Sequence, residues 1–256
     1  MHPQSAVYPS LEGRTVFITG GGSGIGASLT RAFARQRANV AFVDIARDAS
    51  LRLVDDIHRS LGVEPLFLPC DLRDIEALRA SIEQTRQRLG NIAVLVNNAA
   101  NDDRHHLTNV TPGQWDERIA INLRPMFFAA QAVAPQMRAL GGGSIINFGS
   151  ICWRIGTTDL PIYSAAKAAA HGLSRSLARD LGAHGIRVNT LSPGCVMTDR
   201  QLQLWVTPEK QEVILANQYL KRLIQPDDIA QFALFLAADD SAVCTAQEII
   251  VDAGWA

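Results

Sequence analysis

Tyr163 and Lys167 stand four residues apart, and Ser150 stands thirteen residues before Tyr163. On a helix, positions i and i+4 share a face, so the ammonium can sit beside the phenol. A free tyrosine titrates near 10, so general-base work near neutrality needs a fall of about 2–3 units, or ~3–4 kcal/mol of electrostatic stabilisation. A lysine at that spacing supplies part of it. A lone Tyr-x-x-x-Lys is usually plain helix surface. Here it follows a serine at the end of an apolar run and, further upstream, a glycine-rich turn.

That turn reads TVFITGGGSGIG, with Gly20, Gly24 and Gly26 spaced G-x-x-x-G-x-G and Gly22, Gly24 and Ala27 also matching G-x-G-x-x-A. Between a strand and a helix it would aim free N–H groups and the positive helix end at a pyrophosphate. Asp44 follows Gly24 by twenty residues and ends the next apolar run. A carboxylate there accepts the adenosine ribose hydroxyls of a dinucleotide. The bland alternative for Asp44 is a helix cap. As a ribose ligand it repels a 2′-phosphate, and Ser23 brings no compensating charge, so NAD is the expected cofactor. Arg47 lies close enough to soften that preference, leaving NADP as a secondary cofactor.

The elements that must position these groups are visible as alternating patterns. Apolar runs at 15–19, 40–44, 65–70, 93–97, 144–148, 187–191 and 248–251 are mostly continuous in Val, Ile, Leu or Phe, as parallel strands covered on both faces are. Helical patterns lie between them at 25–37, 49–61, 74–89, 112–140, 163–182 and 226–238. Seven strands with six helices predict an α/β fold. It would be a single doubly wound Rossmann domain over residues 1–256, with a mostly parallel sheet and helices on both faces. Two connections are long, 149–162 and 192–225, and both follow strands, where ligands bind in such sheets. The segment 192–225 is expected to form a substrate loop or lid.

Composition narrows the classes. A chain of 256 residues buries a core without a staple, and 47% hydrophobic with 19% charged residues excludes disorder. Lys+Arg 24 against Asp+Glu 25 leaves no electrostatic footprint for nucleic acid or an anionic membrane. Cys70, Cys152, Cys195 and Cys244 are far apart, so neither a disulfide framework nor a metal site is expected. The N-terminus lacks the basic and apolar regions of a leader. No apolar run approaches the ~18 residues that span a bilayer. A cytoplasmic protein is expected.

Taken in order, TGGGSGIG, Asp44, Asp71-Leu72, the NNAA of 97–100, Asn122, Ser150, the YSAAK of 163–167 and the SPGCVMT of 192–198 resemble the short-chain dehydrogenase/reductase family over essentially the whole chain. The resemblance implies that Gly20, Ser23, Gly24 and Ile25 hold the cofactor phosphates and Asp44 the adenosine ribose. It implies that Asp71 and Leu72 flank the adenine, that Asn98, Ala99 and Ala100 line the nicotinamide half, and that Pro193, Gly194, Val196 and Thr198 orient the carboxamide. Tyr163 would be the general base, Ser150 would orient the reacting oxygen, and Lys167 would bind the nicotinamide ribose and depress the Tyr163 pKa. Asn122 would hold a relay water. Two departures, NNAA for the commoner NNAG and Gly149 where many members have serine, remove no reacting atom.

A narrower resemblance rests on NDDRH at 101–105, INFGSI at 146–151, Trp153, TPE at 207–209 and the ending VDAGW. It is to the bacterial aldose 1-dehydrogenases of that family, acting on sugars such as D-xylose or L-arabinose. It implies oxidation of an aldopentose at C1 to an aldonolactone. Asn101, Asp102, Ser150, Trp153, Arg154, Asp159 and Tyr163 are the candidates for a sugar pocket. A second reading, a carbonyl reductase or dehydrogenase for a keto-acyl or secondary alcohol substrate, calls for a more aliphatic pocket. A third, a nucleotide-sensing protein without turnover, is opposed by the complete Asn122, Ser150, Tyr163 and Lys167 set. The partners expected are the sugar and further copies of the chain, in a homotetramer pairing through 112–140 and 163–182. Ala165, Ala166, Ala169 and Ala170 would permit close helix approach, and Phe127, Phe128 and Val133 would fill the seam. His105 and His106 read as an exposed loop pair and Cys152 as an apolar filler. Trp205 either closes over substrate or anchors its segment to the core.

Overall fold

The seven expected strands form one sheet in the computed structural model, which describes residues 6–256; residues 1–5 of the stretch read above for a leader lie outside the described residues. The strands are β1 (Thr15–Thr19), β2 (Asn39–Asp44), β3 (Leu66–Pro69), β4 (Ile92–Asn97), β5 (Gly143–Phe148), β6 (Ile186–Pro193) and β7 (Glu248–Val251). Their order is β3-β2-β1-β4-β5-β6-β7, and every pairing is parallel. The order reverses between β1 and β4, which opens a crevice at their carboxyl ends.

Both faces are covered. The helices are α1 (Gly24–Arg35), α2 (Arg47–Leu61), α3 (Ile75–Leu89), α4 (Pro112–Asn122), α5 (Arg124–Ala139), α6 (Pro161–Leu181), α7 (Asp199–Leu204), α8 (Pro208–Asn217) and α9 (Pro226–Ala237). The strand period of two sends alternate side chains to opposite layers. Val16 and Ile18 of β1 share a core with Leu29 and Phe33 of α1 and with Ile229 and Leu234 of α9. Phe17 between them packs instead with Leu78 of α3 and with Val133 and Met137 of α5. Val133, expected at a subunit seam, is therefore a core residue.

Two expectations need correction. The single helix read over 112–140 is two, broken at Leu123 (φ −134°, ψ −52°). Pro125 has no N–H to extend the first helix, and the Met126 N–H turns to the Leu123 carbonyl at 3.1 Å. The Asn122 carbonyl is thereby left without the helical donor it would otherwise have. The segment 192–225 holds two short helices, α7 and α8, whose starts are capped by the Thr198 and Thr207 hydroxyls.

Helix α6 carries Tyr163 and Lys167, and a buried polar chain sets its position on the sheet. Asn97 of β4 donates to Asn147 of β5 (2.8 Å), which donates to the Ser174 hydroxyl of α6 (2.9 Å). Thr190 of β6 donates to the same hydroxyl (2.9 Å). Three adjacent strands thus converge on one helical side chain. Among the described residues no helix is long and apolar enough to cross a membrane.

Candidate active site

At the β1–α1 turn, Gly20 (φ +66°) and Gly24 (φ +51°) take the left-handed conformation that favours glycine. Gly26 is required by contact: a Cβ there would fall 1.7 Å from the Gly20 carbonyl oxygen. Ser23 caps α1 without spending its hydroxyl on the helix, and no acidic residue stands in the first turn. Free N–H groups, a free hydroxyl and the positive helix end therefore meet at one place, which suits a pyrophosphate. Asp44 accepts the Gly22 N–H (2.9 Å) and the Ala46 N–H (2.8 Å), so its carboxylate also ties the turn to β2. Asn98 spends its side-chain amide on the Thr19 carbonyl (3.1 Å) and the Gly20 carbonyl (2.9 Å). It braces the turn from beneath.

A cleft of about 1250 Å³ follows the carboxyl edge of the sheet, from Asp44, Asp71 and Leu72 to Ser150, Tyr163 and Lys167. All the cofactor residues expected from the sequence line it except Gly24, which shapes the turn behind. The length of that run and the donors at α1 fit an extended dinucleotide. Beside the Asp44 end, Arg73 bonds the Asp71 carboxylate and holds its pKa below the usual range.

Ser150 follows β5 and accepts the Cys152 N–H at 3.2 Å. Tyr163 lies in the first turn of α6, and Lys167 one turn further on places Nζ 5.6 Å from the phenol ring centroid. Lys167 is only 2% exposed and donates to the Phe148 carbonyl at 2.8 Å. Burial pushes the Tyr163 phenol well above its ordinary range; negative charge at Cys152 and Asp102 adds to the rise, and the Ser150 hydroxyl and the Arg104 cation oppose it. Burial also pulls Lys167 down, to about 8. The pair alone holds a protonated phenol. A further positive charge in the cleft is needed to make it a base.

Asn122 is fully buried and clamps the backbone of Asn101, accepting its N–H (2.8 Å) and donating to its carbonyl (3.1 Å). It does not line the cleft. Its own carbonyl, freed by the break at Leu123, is left without a helical donor.

The sugar-pocket candidates divide. Asn101, Asp102, Asp159, Ser150 and Tyr163 line the cleft. Asp102 accepts from Gln201 and from Arg200 (3.4 Å), and Asp159 lies 2.9 Å from His106 Nδ1. Trp153 and Arg154 are not brought there. Arg154 pairs with the buried Glu248, whose other oxygen accepts from Ser192 at 2.7 Å. Its guanidinium then lies 4.3 Å from the centroid of the Trp153 ring, and Trp153 borders a separate hollow. The same network explains Gly149: a Cβ there would meet Ser192 Oγ at 2.2 Å. Several groups at the substrate end lay outside the expected set. Trp205 packs with Met197, Val206 and Ile214 and also lines the cleft, so both readings of it hold. Lys210 of α8 and Trp255 line it too. Trp255 is set by Asp252, whose carboxylate accepts the N–H groups of Gly254, Trp255 and Ala256. Strand and helix patterns carry no signal for a chain end folded back in this way.

Comparison with known proteins agrees with this geometry. The family model described as Enoyl-(Acyl carrier protein) reductase matches residues 20–256. The D-xylose 1-dehydrogenase of Caulobacter vibrioides is 51% identical over 251 residues, 98% of this chain and 99% of that protein. The "Probable galactose dehydrogenase GalD" of Rhizobium meliloti is 50% identical over 250 residues, 98% of each chain. Among solved structures, 7α-hydroxysteroid dehydrogenase complexed with NADH and 7-oxo glycochenodeoxycholic acid matches with a TM-score of 0.92 at 33% identity, over 97% of this chain and 96% of that one. The chain belongs to the short-chain dehydrogenase/reductase family of oxidoreductases.

The buried lysine generates a stability prediction. Its folded pKa lies below the 10.5 of a free lysine, so the unfolded chain binds more protons between about 8 and 10.5 and stability rises with pH across that window. Below it the buried charge destabilises the fold. Lys167→Met should therefore stabilise the cofactor-free protein at pH 7 by about 2–3 kcal/mol, and the gain should shrink as pH approaches 10.5. Urea denaturation at both pH values checks this. A variant no more stable at pH 7 contradicts it.

Proposed function

We propose that this chain is an NAD-dependent dehydrogenase that oxidises an aldopentose at C1 to the aldonolactone, within one domain whose segment 192–225 covers the substrate. The observation that carries the reading is the lining of the cleft beyond Tyr163. Asn101, Asp102, Arg104, His106, Asp159, Gln201 and Lys210 stand there, a set suited to several hydroxyls at once. Among the described residues the Arg104 guanidinium and the Lys210 ammonium have no hydrogen-bond or ion-pair partner, and a steroid or acyl chain would desolvate them without supplying one, at about 1–3 kcal/mol each. The half-identical sugar dehydrogenases point the same way.

In this reading the free hydroxyl of Ser23 and the N-terminus of α1 bind the pyrophosphate, and Asp44 accepts the adenosine ribose hydroxyls. Asp71 and Leu72 flank the adenine, and Pro193, Gly194, Val196 and Thr198 border the carboxamide. Oxidised nicotinamide, when bound, supplies the hydride acceptor and a positive charge beside the phenol. Ser150 donates a hydrogen bond to the C1 hydroxyl oxygen, and Tyr163 takes that hydroxyl's proton. Hydride departure from C1 leaves the C=O bond of the lactone. Lys167 stabilises the phenolate, and the proton then passes towards solvent by a water held at the Asn122 carbonyl.

Copies of the chain would assemble as a homotetramer through the face of α4, α5 and α6, where Trp115 and Phe127 are 47% and 43% exposed. Light scattering at micromolar concentration should give four times the monomer mass, and a monomer would contradict it.

NADH formation with a panel of aldoses, including both enantiomers of xylose, arabinose and fucose, tests the substrate class. Keto-acyl or secondary alcohol substrates turned over well above every aldose would overturn it. Tyr163→Phe should lower kcat by at least about 10²–10⁴-fold with cofactor affinity nearly unchanged. Retention of more than about a tenth of the rate would remove Tyr163 from the base role. Because Asp44 faces any 2′-phosphate with like charge, kcat/KM should be higher with NAD than with NADP, and Asp44→Ala should narrow the gap. A preference for NADP in the unmodified protein would count against that assignment.

A further inference from the structure

The acids around the substrate end of the cleft are already committed to other partners. Asp102 takes Gln201 and Arg200, and Asp103 takes Arg200 and Arg118. Asp159 takes His106. Arg104 stands among them, half-buried and lining the cleft, yet among the described residues its guanidinium has no hydrogen-bond or ion-pair partner. Its guanidinium carbon lies 5.3 Å from the centroid of the Trp205 ring. At that distance the indole face attracts the cation and helps to hold it in place, while among the described residues its N–H groups stay free of protein partners.

Trp205 is itself held in place. Its backbone N–H donates to the Gln201 carbonyl at 2.9 Å, and Arg200 and Gln201 clasp α7 to Asp102 and Asp103. The fork therefore stands beside a segment tied down by these bonds and keeps its donors for a ligand.

We infer that Arg104 is a specificity-determining residue, its guanidinium fork donating to two neighbouring hydroxyl oxygens of the aldose while the Trp205 ring braces the cation. Two parallel hydrogen bonds from a planar cation match a vicinal diol in spacing. The three carboxylates of Asp102, Asp103 and Asp159 are matched in number by the guanidiniums of Arg104, Arg118 and Arg200, so the charge of this cluster is close to balanced. That favours a neutral polyhydroxy ligand over an anion. The inference rests on the aldose reading and adds to it the group that reads the diol.

The test uses the full chain with NAD, the best aldose from the panel and its 2-, 3- and 4-deoxy analogues, with Arg104→Met and Arg104→Lys. Arg104→Met keeps an unbranched stem over Trp205 and removes the fork. Its kcat/KM for the full sugar should fall about 10–100-fold, mostly in KM. For the analogue lacking a contacted hydroxyl it should fall by only a few-fold, so that wild type and variant converge. Arg104→Lys keeps the charge without the fork and should stay impaired about tenfold. Unchanged KM for NAD and an unchanged melting temperature show that the fold is intact. An equal loss on every analogue, no loss at all, or full recovery with lysine overturns the inference and leaves the aldose reading standing. So does a wild-type preference for a phosphorylated or carboxylated sugar over neutral aldoses. Failure of the wild type to oxidise any aldose overturns the underlying reading itself, and this inference with it.

Discussion

A lysine held almost wholly out of water, one helical turn from a buried tyrosine, is the constraint on which the rest of this structure depends. Burying an ammonium costs several kcal/mol unless something receives it, and here a single acceptor, the Phe148 carbonyl at the end of β5, does so. That bond fixes α6 to the sheet edge at its catalytic end. Ser174, two turns further along, fixes it again through Asn147 and Thr190. The depth of Tyr163 in the cleft follows from these two attachments. The same low-dielectric setting raises the phenol pKa and lowers that of the lysine, so the pair awaits a third charge.

The other end of the cleft is built with the opposite economy of charge. Backbone N–H groups, one serine hydroxyl and the end of α1 meet there with no lysine or arginine beside them, an arrangement suited to an anion. Asp44 and Asn98 serve mainly as braces in this state: each bonds the glycine turn, one from β2 and one from the end of β4. Both ends of the cleft hang from strands of one parallel sheet, β1 and β2 at one end and β5 at the other with β4 between, so the sheet sets the distance between them. A dinucleotide spanning the two would bring its positive ring to the place where the tyrosine lacks a cation.

Much of this was legible in the residues. The bounds of β1 and β7 and the placement of Tyr163, Lys167 and Ser150 follow from apolar runs and i,i+4 spacing, which are local properties. The break at Leu123 was not legible, because apolar periodicity continues across 112–140 and only Pro125 hints that the backbone cannot. Trp153 and Arg154 follow Ser150 closely, yet a buried carboxylate on β7, far away in sequence, draws the guanidinium away from the cleft. The turn of Trp255 into the cleft likewise depends on Asp252 gathering three N–H groups at the chain end. Such long-range or irregular contacts leave no period to read. They are also what shapes the substrate end, whereas the cofactor end is built from a local motif.

Titration of the Tyr163 phenol tests the central claim most directly. The chain has three tyrosines, so the ultraviolet difference between the protein and its Tyr163→Phe variant isolates this one. Without cofactor the phenolate signal should rise only above pH ~10, the range of a free tyrosine. With saturating NAD its midpoint should fall to within about a unit of neutrality, ~2–3 units below a free tyrosine, as base catalysis requires. An identical midpoint with and without NAD, or a near-neutral midpoint in the free protein, would contradict the account.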